Sequence, residues 1–327
     1  MTAQATPVRT PSAPQATVQL QERPIAADAI TLLSGLVALL ALGATLVGLF
    51  WQEGNGPFSL QTIRGETVQM FGQGIYRHDT LFQGAINRGT DVVTLALGIP
   101  LLVCATLLYR RGSIRGRLLL TSVLAFFLYV YANAALGVAY NTLYLVYVAL
   151  FSASLFAFVL SLTSIDRRAL SSRFLPGMPR RGLAIFLFVA GAVTLGVWLS
   201  DVVGALVQGR PTTHLDSYTT PVTYVLDLGI ITPACFLTGA LLSKGAMLGY
   251  PLAFSLLGIL VLLAPSIVAA TVSQLAAGVS LSPGEVIGPV AGFTGLGVIA
   301  IWLLSALFRH ISEVAPPAAT GGRSSVQ

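Results

Sequence analysis

Eight long apolar runs, separated by short polar or glycine-rich segments, set the pattern of the chain: roughly 29 to 50, 92 to 109, 118 to 139, 143 to 164, 182 to 200, 221 to 242, 247 to 270 and 286 to 308. A bilayer core of about 30 Å needs about 20 apolar residues in a helix, so each run predicts one membrane span. A barrel would show alternating segments of about ten residues. The pattern therefore predicts an all-α polytopic membrane protein with about eight transmembrane helices. The first run, "AITLLSGLVALLALGATLVGLF", is too long for a signal-peptide core of about 7 to 15 residues and reads as a retained span.

The longest interruption, residues 51 to 90, exceeds a simple turn and reads as a lid over one mouth of the bundle. Within it, "TVQMFGQGIYRHDTLFQGAI" alternates apolar and polar positions at roughly helical spacing, which predicts a helix lying on the surface. The ends, residues 1 to 26 and 311 to 327, are rich in Pro, Ala, Ser, Thr and Gln and read as disordered tails flanking one domain over 27 to 310.

Composition agrees with the pattern. Of 327 residues, 55% are hydrophobic and 9% charged, and the mean hydropathy is +0.81. The net charge of +6 would suggest a nucleic-acid partner in a soluble protein, but here the basic residues sort by side. With an internal N-terminus, 14 of the 18 basic residues but only four of the 12 acids fall on the inner side. The positive-inside rule then predicts a plasma membrane protein of bacterial inner-membrane type with both termini in the cytoplasm and no nucleic-acid partner. Cys104 and Cys235 lie inside apolar runs, as buried hydrophobes do.

Four spans per half, with both ends inside, allow a parallel 4+4 repeat. "LGIPLLVCATLLYRRG" (97 to 112) and "LGIITPACFLTGALLSKG" (228 to 245) each carry an upstream acid, an LGI, a Pro, a Cys and a basic-Gly end. Such a duplication places a cavity between halves in several transporter folds. Chance recurrence of Leu, Gly, Ala and Val in apolar helices is the competing explanation.

Candidate chemistry gathers on the predicted outer side. Asp227 lies six residues into the sixth run and Asn133 six from the outer end of the third, both about 9 Å deep at 1.5 Å per residue. Helical spacing groups Tyr224 with Asp227, Tyr129 with Asn133 and Tyr140, and Tyr147 with Tyr144 and Ser154. An intramembrane acid is costly unless paired or facing water, so Asp227 is expected inside the bundle, near Arg88 or near Tyr and Asn side chains. Arg88 and Asp91 stand at i and i+3, able to pair, with Asp91 as a helix N-cap. Asp201, Arg77, His78, Asp79, His214 and Asp216 complete the candidate set. The two His-Asp stretches match no metal motif, no buried His pair offers itself to haem, and no cofactor is expected.

Three functions fit these residues. One is a small-solute transporter or ligand-binding membrane protein with an outward polar site. The second is an enzyme acting on a lipid-linked substrate, with Asp79, Asp201 or Asp227 as base and Arg77 or Arg88 holding a phosphate. The third is a non-catalytic assembly partner. The bilayer is the one partner that all three share.

Overall fold

A computed structural model describes residues 15–313, so the predicted tails fall largely outside the described residues. Eight helices are long and apolar enough to cross a membrane, and the chain is an all-α polytopic membrane protein. The first span is α1 (Gln15–Phe50), which already begins within the segment that composition assigned to a tail. Residues 51–80 then form a cap. In it β1 (Phe58–Gln61) pairs antiparallel with β2 (Thr67–Met70), and a 3-10 turn follows at Gly74–Tyr76.

The cap differs from the expected surface helix. Thr67 to Met70 is a strand, and the helical spacing begins only at α2 (Leu81–Val93), the start of the second span. That span begins eleven residues before the apolar run suggested. The reason is that α2 buries Gly84, Ala85 and Gly89 against its neighbours rather than large apolar side chains, so its buried face leaves little hydropathy signal. Its N-cap is Thr80, whose Oγ1 accepts from Gln83 N at 3.2 Å. Asp91 is thus mid-helix and caps nothing.

The second span continues through a π-helical turn, Thr94–Gly98, into α3 (Ile99–Arg110). The third is α4 (Ile114–Gly137) and the fourth α5 (Tyr144–Thr163); a short α6 (Arg167–Ser171) links to the fifth, α7 (Arg180–Gln208). The sixth repeats the second: α8 (Val222–Leu226), a π-helical turn at Asp227–Ile231 and α9 (Thr232–Ser243). The last two spans are α10 (Gly249–Ala276) and α11 (Pro283–Arg309).

Pro100 and Pro233 each stand at the second residue after the π turn. A proline lacks the N–H that would bond the preceding turn and clashes with its carbonyl, and one extra residue in that turn relieves both problems. Each span then closes on a basic residue, Arg111 or Lys244, followed by a glycine at φ +77° or +75°. The shared motif of the two sequences is therefore a shared backbone device.

Spans α4 and α10 form the axis. The most apolar windows of α4 and α10 are 67% and 61% buried, against 28% to 39% for the other six spans. They pack on each other with Gly258 against Ser122, where an added Cβ would meet the α4 backbone, as small residues allow at close helix crossings. In turn α2 packs on α10, while α8 packs on α4. At the arginine-rich face the chain stays packed past residue 310. Ile311 is fully buried and bridges Phe174, and Glu313 accepts from Ser113 Oγ and from the backbone N–H groups of Ile114 and Arg115, capping α4.

Candidate functional site

Asp227 opens the π turn of the sixth span and is 6% exposed. Tyr129 Oη, from α4, donates to its Oδ1 at 2.9 Å, and Trp198 Nε1, from α7, donates to its Oδ2 at 2.7 Å. Both donors are neutral. The ion pairs Arg64–Glu66, Arg77–Glu53 and Arg115–Glu313 all lie outside the carboxylates of the spans. Beside Asp227 lies a cavity of about 20 Å³, lined by Tyr129, Thr194, Asp227 and Cys235 together with Ile231 of the π turn, aliphatic side chains of α7 and α10, and Phe293.

Asp227 therefore faces the bundle interior, as expected, and meets a tyrosine of the third span. It does not meet Arg88. That guanidinium instead donates to the Leu49 carbonyl at 3.2 Å. Asn133 also stays off the carboxylate, since it donates to the Tyr129 carbonyl and accepts from Thr223 Oγ1 at 2.8 Å, tying α4 to α8. Tyr224 stacks on Trp198, with centroids 4.2 Å apart, and donates to Asp201 Oδ2 at 2.9 Å. Asp201 also takes the backbone N–H and hydroxyl of Thr213. The candidates of the fifth and sixth spans thus form one chain, from Asp227 through the aromatic pair to Asp201.

A second acid sits in the first half. Asp91 accepts from Tyr76 Oη at 2.6 Å, and its carboxylate lies against Gly48 of α1, where a Cβ would collide with it. Arg88 is in electrostatic reach but makes no ion pair at 4 Å or less. The buried phenols of Tyr131 and Tyr147 stand within electrostatic reach of Asp91. Tyr140, 79% exposed, stands apart past the end of α4 and touches Tyr144.

Asp79 fastens the cap. It is fully buried, and its Oδ1 accepts from Ala139 N at 2.9 Å and from Tyr218 Oη at 2.6 Å, so one carboxyl joins the cap to the α4–α5 and α7–α8 connections. Burial raises its pKa to about 7 against the opposing pull of those two hydrogen bonds. Burial, and then Asp79 itself, push the Tyr218 phenol up as well. Arg64, in the cap's hairpin turn, donates to the carbonyls of Asp216 and Tyr218 and makes a second fastening.

The remaining candidates are dispersed. Arg77 pairs with Glu53 at 3.5 Å and donates to His78, on the exposed side of the cap. His214 stacks on Phe82 at 3.9 Å, and both His214 and Asp216 have positive φ in the α7–α8 connection. Among the described residues no three His, Cys, Asp or Glu side chains gather as a metal set.

Sequence reading missed Trp198, Tyr76, Tyr218 and Arg64. Only Trp198 left a signal, three residues before Asp201 and thus on the same face of the fifth span. Comparison with protein-family models, curated proteins and solved structures finds no match to this chain.

Proposed function

We propose that this protein binds and carries a small cationic solute across the plasma membrane, with Asp227 as the charged ligand. The observation that supports the reading is the pairing of that buried carboxylate with neutral donors alone. A charge moved out of water costs several kcal/mol, roughly, unless a counter-charge or a proton meets it. Tyr129 and Trp198 offset part of that cost. The balance is left for a bound cation, and the adjoining cavity gives it room.

Orientation follows from charge. The cap face is the outer face and both termini are cytoplasmic, because the arginine-rich connections belong inside. The matched π turns supply the mobile parts. Interrupted helices in corresponding positions of two halves are the usual location of transporter sites, and π turns concentrate at functional positions. The lipid-linked enzyme gains less support, since Arg77 is bound to Glu53 and Arg88 to a backbone carbonyl, and neither stands with Asp201 or Asp227.

The test is thermal stability of the reconstituted protein against a panel of ammonium compounds of increasing size, followed by uptake of the best binder into proteoliposomes. Saturable stabilisation that Asp227→Asn removes, with the variant still folded, is the expected outcome. A panel without effect, or an equal effect in Asp227→Asn, overturns the assignment.

A further inference from the structure

The cavity at Asp227 is bounded by α4, α7, α9, α10 and α11. Two of these walls, α7 and α11, are not among the extensively packed helix pairs of the described residues. Their counterparts in the first half, α1 and α5, do pack. The second half is therefore the more loosely joined along this line, where the first half has a seam. Apart from Asp227, Tyr129 and Thr194, the cavity is walled by apolar side chains such as Ile231, Ile259, Leu260 and Phe293. An aqueous solute gains nothing from such walls, whereas a hydrocarbon chain does.

We propose that the site takes the head group of a membrane-dissolved amphiphile, a primary ammonium on an alkyl chain, which reaches Asp227 sideways between α7 and α11. The inference rests on the cation-binding reading of Asp227. Its two further arguments are size and direction. The room at the carboxylate, about 20 Å³, matches roughly one water-sized group. It admits an –NH3+ but not a trimethylammonium. The three N–H donors of that head can reach the carboxylate's remaining lone pairs and the Tyr129 oxygen as charge-assisted hydrogen bonds. The chain stays between α7 and α11, against Phe293 and Leu260, without leaving hydrocarbon.

Trp198 reports on the site directly. The chain holds three tryptophans, and Trp51 and Trp302 are 42% and 64% exposed, outside the Asp227 cluster. The full-length protein carrying Trp51→Phe and Trp302→Phe, reconstituted in vesicles, leaves Trp198 as the lone fluorophore. Lipids brominated on the acyl chain are expected to quench it more than aqueous acrylamide does. Octylammonium should then change its emission saturably, at least tenfold more tightly than octanol, octyl sulfate or octyltrimethylammonium at equal concentration in the bilayer. Asp227→Asn should abolish that response while bromolipid quenching persists, which shows that the variant is folded.

Three results overturn the proposal. If methylammonium, the same head without a tail, binds as well as octylammonium, the lateral route fails and the cation-binding reading stands. If octanol binds as well as octylammonium, the carboxylate is not the recognising group. If no ammonium compound alters Trp198, both readings fall together.

Discussion

The two halves carry the same interrupted helix and close it differently. In the first, the acid upstream of the π turn is pressed against Gly48 of α1, is bonded to Tyr76 of the cap, and lies in a half whose outer helices pack together. In the second, the acid stands on the π turn itself, is held by side chains of the third and fifth spans, and borders a cavity in a half whose outer helices are less closely joined. One backbone device thus serves two ends. A carboxylate with a helix pressed onto it stabilises a closed half, and the same group beside open space can exchange its partner.

The largest effect expected is on the cap, which covers the closed half. Asp79 has a folded pKa of about 7 against an ordinary value of 3.8. The closed cap therefore favours the protonated acid. Its stabilisation is fully present below about pH 3.8, is lost progressively as pH rises, and is gone once pH passes the folded value of about 7. At roughly 1.4 kcal/mol per unit, the closed cap weakens by a few kcal/mol across that window. Amide exchange over residues 67 to 80, corrected for intrinsic rates, should be about tenfold faster or more at pH 8 than at pH 5. Asp79→Asn keeps the hydrogen-bond acceptor for Ala139 and Tyr218 and should flatten the dependence. Exchange equally slow at both pH values in the unaltered protein would refute Asp79 as the fastening.

How far the sequence disclosed these halves depends on what each residue answers to. Asp227 was legible because a lone acid in an apolar run has few tolerable positions, and burial toward the bundle is one of them. The span count was legible for the same reason, since hydrocarbon thickness fixes helix length. The start of the second span was not, because Gly84, Ala85 and Gly89 make its buried face small rather than apolar. The cap was misread because a short strand pair and a helix share apolar positions over so few residues. Trp198, Tyr76 and Arg64 find their partners across helices or loops, 29, 15 and 152 residues away, and such pairings follow from interhelical register, which no periodicity within one segment encodes.

A smaller effect separates the seam from the looser half. A methyl group at Gly48 meets the Asp91 carboxylate and the Tyr76 hydroxyl, so Gly48→Ala must break that bond or part α1 from α2. The expected loss is about 1 to 3 kcal/mol, the cost of leaving a buried polar group without its partner. On α7, Gly196 has nothing within 4 Å of the same methyl. Gly196→Ala should shift stability by no more than about 0.5 kcal/mol, or raise it slightly through helix propensity. Equal melting temperatures for the two variants would remove the distinction between a closed and an open half.

The smallest effect, a difference between two hydroxyl deletions, sharpens the comparison at the acids themselves. Asp91 takes one side-chain donor, Tyr76, and Asp227 takes two, Tyr129 and Trp198. Removing a phenol hydroxyl should therefore cost more in the first half. Tyr76→Phe strips Asp91 of its direct donor and should destabilise by about 1 to 3 kcal/mol, the range for a buried polar group left without its partner. Tyr129→Phe leaves the indole N–H of Trp198 in place, so the carboxylate remains anchored and the loss should be nearer 1 kcal/mol. The two variants should also differ in what else they change. Tyr76→Phe acts on the cap and should speed amide exchange there. Tyr129→Phe should leave the cap as slow as before and alter Trp198 emission, because the indole N–H is then the carboxylate's one remaining side-chain donor. Melting temperature, cap exchange and Trp198 fluorescence on the same two preparations decide the matter. If Tyr129→Phe proves the costlier and loosens the cap, the acids share one network, and the division into a sealed half and an exchanging half fails.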